Sequence, residues 1–294
     1  MNTTVRTALL TLALTLALAA CGSPSPHGDR PARPPDASST STAVPPVARP
    51  TTAIDRLVPT AHGNLHLRCS GQGPVTVLLL AGWDKGADSF GPFERSVASH
   101  TRTCAGDRLG TGTSDAPATN QTFATQVADL HAMLHIAEEP GPYVVVGHSF
   151  GGAEAMTFAS TYPDEMHGVA LIDASPDDWP AVVCTVPAYQ GGCDLMRNPD
   201  RDGERLDAFR AFEQAGEVAT LGDLPLTVIT AAHRNPSGLT PEEQVRLDQR
   251  WAAGQQRWAD RSSHSKVVTV EDTGHDIHIE HPQLVLDEVV DLLP

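Results

Sequence analysis

A chain of 294 residues is long enough for one large domain with a substantial core and a further segment at one end. Its 20 Lys and Arg stand against 36 Asp and Glu, a formal charge of −16, and nothing basic is clustered in the part expected to fold. That balance argues against a nucleic-acid partner and reads as a solvated acidic surface.

Residues 1–20 carry one cation, Arg6, followed by the apolar run Thr7 to Ala20. The run is short for a bilayer span, which needs about 20 apolar residues, and reads as an export signal. The segment Leu18-Ala19-Ala20-Cys21 resembles a bacterial lipobox. That resemblance implies cleavage before Cys21, a lipid on that cysteine, and an extracytoplasmic protein anchored to the cell membrane; without the lipid the chain would be secreted. Residues 21–54 are rich in Pro, Ser, Thr and Ala and lack apolar periodicity, so they read as a disordered tether. As a flexible coil it would reach about 30 Å, and as an extended one about 100 Å.

The remainder, residues 55–294, begins with a hairpin pattern: Arg56 to Ala61, a turn at Gly63-Asn64, then Leu65 to Cys69. Val75 to Leu80 is a continuous apolar run of the kind buried on both faces of a parallel sheet. A loop, Ala81-Gly82-Trp83-Asp84, leads to a helix expected from about Ser89 to Ser99 and a strand over Arg102 to Ala105. Phe123, Val127, Leu130, Leu134 and Ala137 recur every three or four residues and predict an amphipathic helix over Gln121 to Ala137. Further strands are expected at Tyr143 to Val146, Gly168 to Asp173, Leu226 to Ala231 and Lys266 to Val270. Thr240 with Glu243 marks a helix start that should run to about Asp260, and a last helix follows over Pro282 to Leu293. Residues 174–222 read as irregular, with one helix near Gly203 to Glu217. After Cys21, the cysteines Cys69, Cys104, Cys184 and Cys193 are even in number, which suits disulfides in an exported chain. Three connectivities are open; sequence order favours Cys69 with Cys104 and Cys184 with Cys193, with free thiols as the alternative. No Cys or Cys/His spacing indicates a metal site.

Tyr143 to Val146 ends in Gly147-His148-Ser149-Phe150-Gly151, and a helix-compatible segment follows at once. A turn this tight brings strand and helix into contact beside the serine, so glycine is needed two residues before and two after it. With this strand-turn-helix context the chain resembles the α/β-hydrolase family over about residues 55–294. Asp107-Arg108-Leu109-Gly110-Thr111-Gly112-Thr113-Ser114 resembles a further segment of that family. The resemblance implies a mostly parallel, doubly wound sheet with helices on both faces and a small cap at about residues 174–222.

It also implies a catalytic order of serine, carboxylate, histidine. Ser149 would be the nucleophile and His275, in the connection after the last strand, its base. Many relatives carry the acid after the next-to-last strand, but no carboxylate occurs here between Thr230 and Glu242. The family's alternative place, after the strand that follows the nucleophile helix, holds Asp173, with Asp177, Asp178 or a displaced acid as the alternatives. The oxyanion donors would be the backbone N–H groups of Phe150 and Trp83; relatives often have His-Gly where this chain has Ala81-Gly82. His148 reads as packing or pocket lining, and His278 and His281 as exposed or packed, without a zinc-like third ligand. Trp179, Val182, Val183, Tyr189, Leu195, Met196, Phe209 and Phe212 either line an acyl pocket or pack the cap. The expectation is a serine hydrolase acting on a small-molecule carboxylic ester, with no metal or organic cofactor. Serine at the elbow, where dehalogenases and epoxide hydrolases carry aspartate, argues against those chemistries. The alternatives are an aminopeptidase or amidase using Asp177, Asp178 or Asp194 to receive an amine, and a catalytically silent binding lipoprotein.

Overall fold

The computed structural model describes residues 51–233 and 238–294. The segments expected as export signal and tether, with Cys21, lie outside the described residues up to residue 50, as do Arg234 and Asn235. Among the described residues eight strands form one sheet in the order β1-β2-β4-β3-β5-β6-β7-β8. They are β1 (Ile54–Pro59), β2 (Asn64–Ser70), β3 (Thr76–Leu80), β4 (Arg102–Gly106), β5 (Tyr143–His148), β6 (Met166–Ile172), β7 (Leu226–Ala231) and β8 (Ser265–Val270). β2 alone runs antiparallel, to β1 on one side and β4 on the other, and β3 through β8 run parallel to one another. This is the mostly parallel, doubly wound α/β-hydrolase fold expected from the alternation of strands and helices.

The helices are α1 (Pro92–Ala98), α2 (Phe123–Ile136), α3 (Phe150–Thr161), α4 (Trp179–Val183), α5 (Gln190–Met196), α6 (Ala208–Gly216), α7 (Pro241–Ala259), α8 (Ile277–Glu280) and α9 (Pro282–Val290). Strand side chains alternate between two cores. Leu78, Leu80, Val145, Leu171 and Val228 pack with α2, α3, α6 and α7 on one face. Val77, Leu79, Val144, Val146, Ala170 and Ile229 pack with α1 and α9 on the other. Burial on both faces explains why β3, β5 and β7 are apolar without alternation and buried along their whole length.

Several boundaries differ from expectation for local reasons. Asn64 is the first residue of β2, opposite Pro59, because Thr60 closes the turn by donating its N–H and Oγ1 to the carbonyl of Gly63. The helix expected from Ser89 splits at Gly91 into a 3-10 turn, Ala87–Phe90, and α1. Thr122 caps α2 and so excludes Gln121 from it. Thr240 and Glu243 cap α7 reciprocally, as their spacing predicts. The 174–222 segment is more ordered than its sequence suggests: it holds α4, α5 and α6, and the helix expected from Gly203 begins only at Ala208, capped by Asp207. Both disulfides join the cysteines that sequence order favours: Cys69–Cys104 are cross-strand neighbours on β2 and β4, and Cys184–Cys193 ties α4 to α5.

Candidate active site

Three loops at the carboxyl ends of β5, β6 and β8 bring Ser149, Asp173 and His275 together. His275 Nε2 lies 2.9 Å from Ser149 Oγ and His275 Nδ1 lies 2.6 Å from Asp173 Oδ2. Ser149 sits between β5 and α3 at φ 55°, ψ −121°, a conformation side chains other than glycine rarely hold. The close approach of strand and helix is what demands the flanking glycines. A Cβ at Gly147 would lie 2.2 Å from the carbonyl oxygen of Gly151, and one at Gly151 would lie 2.2 Å from that of Leu80.

Asp173 is fully buried, yet its carboxylate is met by donors from several elements. Trp251 Nε1 on α7 is 2.8 Å from Oδ1, and Thr230 Oγ1 and the Ala231 N–H at the end of β7 are 3.1 and 3.2 Å from it. The end of β7, where many relatives would carry the acid, here supplies donors to Asp173 instead. Asp177 and Asp178 are drawn away by Arg257, and Asp177 also by Arg261.

His148 is buried, and its Nε2 donates to the backbone carbonyl of His275 at 3.0 Å. Burial holds its pKa well below the ordinary histidine value, with His275 and His278 adding to the shift. A neutral His148 thus fixes the backbone that carries His275, a more specific role than the packing expected of it. His278 is buried against Phe90 and Phe93, and burial lowers its pKa as well. His281 precedes α9 and is half-buried.

The loop after β3 places Gly82 against Ser149: a Cβ there would lie 3.3 Å from Ser149 Cβ. The Trp83 ring stacks on Phe150 at 5.1 Å, and its Nε1 donates to Asp202 at 3.0 Å. Phe150 in turn meets Phe212 edge-on at 4.8 Å. Of the apolar residues expected in the 174–222 segment, Trp179, Val182, Val183, Met196 and Phe212 are buried and Tyr189 is half-buried. Leu195 and Phe209 face solvent, with the Arg197 guanidinium near the Phe209 ring.

Sequence reasoning missed the buried network beneath this loop. Arg108 donates to the carbonyls of Ala81 (2.8 Å) and Gly82 (2.7 Å). The same guanidinium grips Glu204 through Nε (2.7 Å) and Nη2 (2.9 Å), and reaches Glu154 on α3 at 3.3 Å. Glu204 also accepts from the Asp84 N–H at 2.6 Å. Arg108 was legible only as part of the Asp-Arg-Leu-Gly loop, and Glu204 carries no local signal. Trp251, Gln255 and Trp258 were legible in principle: they share one face of α7 and donate to Asp173, Ala174 and Ser175.

Glu154 is the third member of the network and the weaker partner of Arg108. Burial, opposed by Arg108 and reinforced by Glu204, pushes its pKa up to about 7. Its Oε1 is buried without a hydrogen-bond partner among the described residues. Glu154 therefore keeps its proton in the fold at pH values where the unfolded chain, near the ordinary value of 4.5, has lost it. Its stabilising contribution is complete below about 4.5, falls as pH rises, and is gone above about 7. Denaturation of Glu154→Gln followed from pH 4.5 to 7 should show a flatter decline than wild type; parallel curves would contradict the assignment.

The fold and the serine at its elbow define an α/β hydrolase, and the chain belongs to that family. The alpha/beta hydrolase fold family matches residues 75–214. A pimeloyl-[acyl-carrier protein] methyl ester esterase from Chromobacterium violaceum is 30% identical over 192 residues, covering 60% of this chain and 68% of that protein. The enzyme of the same description from Xylella fastidiosa is 28% identical over 189 residues, covering 62% and 70%. A thermophilic esterase from Thermogutta terrifontis shares the fold with a TM-score of 0.57 at 19% identity, over 82% of this chain and 97% of that one. A meta-cleavage product hydrolase from Pseudomonas fluorescens does so at 0.60 and 16% identity, over 81% and 97%.

Proposed function

We propose that this hydrolase cleaves a small-molecule carboxylic ester through an acyl-enzyme formed on Ser149. The observation that carries the reading is the continuous line from Ser149 Oγ to His275 to Asp173, at 2.9 and 2.6 Å. A serine hydroxyl is a weak nucleophile at neutral pH and gains strength as a base removes its proton. His275 accepts that proton at Nε2 as Oγ attacks the ester carbonyl, then returns it to the departing alkoxide. Water repeats the cycle in reverse to release the acid. Asp173 Oδ2 accepts a hydrogen bond from the Nδ1–H of His275, which selects the tautomer with a free Nε2 and stabilises the imidazolium. The N–H groups of Phe150 and Trp83 would hold the oxyanion; one such donor is typically worth about 3 to 4 kcal/mol. Gly82 against Ser149 and the Trp83–Phe150 stack support that choice.

The two methyl ester esterases among the relatives support ester chemistry. The ion pairs of Asp177 and Asp178 with Arg257 leave them poorly suited to receive a substrate amine, which weighs against an aminopeptidase. We further propose export under the signal of residues 1–20, a lipid on Cys21 and a membrane-anchored domain, or a secreted one if the lipid is absent. Turnover of p-nitrophenyl acyl esters should exceed that of amino-acyl anilides at least a hundredfold. Faster anilide turnover would transfer the assignment to the amidase reading.

A further inference from the structure

Away from the triad, three metal-ligating side chains converge on the surface of α2. His131 and His135 lie one turn apart on that helix, and Glu165 closes the 3-10 turn Pro163–Glu165 between α3 and β6. His131 Nε2 lies 2.8 Å from Glu165 Oε1 and 2.9 Å from His135 Nε2, and His135 Nε2 lies 3.7 Å from Glu165 Oε2. From this juxtaposition of His131, His135 and Glu165 we infer a binding site for a divalent ion of the zinc type.

Proton bookkeeping favours an ion over hydrogen bonds. A neutral imidazole carries one N–H, which points along one direction in the ring plane. If His131 Nε2 holds the proton, a single hydrogen must serve both Glu165 and His135, and it cannot point straight at both. If His135 Nε2 holds it, the bare His131 nitrogen faces a carboxylate oxygen at 2.8 Å, lone pair against lone pair. A cation at the centre accepts all three lone pairs together. Zinc bound at about 2.0–2.1 Å by nitrogen and oxygen in a tetrahedron sets its ligands about 3.3 Å apart. The observed 2.8, 2.9 and 3.7 Å bracket that value.

The donor set also selects the ion. Two imidazoles and one carboxylate suit zinc and its neighbours, and are poor ligands for magnesium, which prefers oxygen. The His131 ring is pre-set by stacking flat on Tyr162, at 3.8 Å and 5°. His135 is 56% exposed, which leaves an entry path and a fourth position for water. α3, about 18 Å long, begins beside Ser149 and ends next to this site, so the ion touches no reacting group. It clamps α2 to the α3–β6 connection. In the sequence the two histidines are four apart, but the third ligand is 30 residues further on, outside any zinc-motif spacing.

The test uses the full chain without a histidine tag, stripped with chelator and titrated with zinc chloride in a calorimeter. Wild type should bind zinc at about one equivalent. At a hundredfold excess over Kd its unfolding temperature should rise about 5 to 10 °C. His135→Ala and Glu165→Gln, at partly exposed positions, should each weaken binding at least tenfold while unfolding within about 2 °C of zinc-free wild type. Absence of zinc uptake by wild type would overturn the site, as would undiminished uptake by His135→Ala or an equal shift produced by magnesium.

Discussion

Replacing Asp173 with asparagine is expected to lower kcat for an ester about ten-thousandfold while leaving the fold nearly as stable. The surroundings of the carboxylate dictate how an amide would sit. Oδ1 accepts from Trp251, Thr230 and Ala231, so the amide must keep its oxygen there. Its NH2 then replaces Oδ2 and points at His275 Nδ1. Two donors cannot face one another, so His275 moves its proton to Nε2 and presents an N–H to Ser149. A base in that tautomer cannot take the serine proton. Steady-state kinetics with an aryl ester and a thermal melt check both halves. Near-normal turnover would assign the acid's role to another carboxylate.

Arg108→Met should produce the largest loss of stability, about 3 to 5 kcal/mol, or roughly 10 °C in unfolding temperature. Methionine fills much of the same space but leaves Glu204 and Glu154 buried without their cation. It also frees the carbonyls of Ala81 and Gly82, which Arg108 ties to the 174–222 segment through Glu204. The loop that carries Trp83 then loses its anchor. A misplacement of about 1 Å at such a loop can cost a hundredfold in rate, so kcat should fall with KM little changed. Denaturant melts and kinetics at a temperature where the variant is folded separate the effects. Wild-type stability with unaltered kcat would show that the network neither supports the fold nor positions the loop.

The turn at Ser149 was legible because its constraint is local. Gly147 and Gly151 are demanded by contacts between adjacent elements, and five consecutive residues reveal them. His275 and Asp173 were legible through the alternation of strands and helices, which places loops at one end of the sheet. The props of the site were not, since each is a long-range pairing. Glu204 is 96 residues from Arg108, and Trp251 is 78 from Asp173. In the 174–222 segment α4 and α5 span five and seven residues, too short for periodicity to reveal. The segment also carries proline at 180 and 187 and glycine at 191 and 192, residues that weaken a helical signal, although Pro180 lies in the first turn of α4, where proline fits well.

The most direct test of the account is covalent labelling with a fluorophosphonate followed by peptide mass spectrometry. A single adduct on Ser149 is expected, formed in wild type and absent from Ser149→Ala with the fold retained. A wild-type protein that stays unlabelled, or an adduct on another residue that persists in Ser149→Ala, would contradict it.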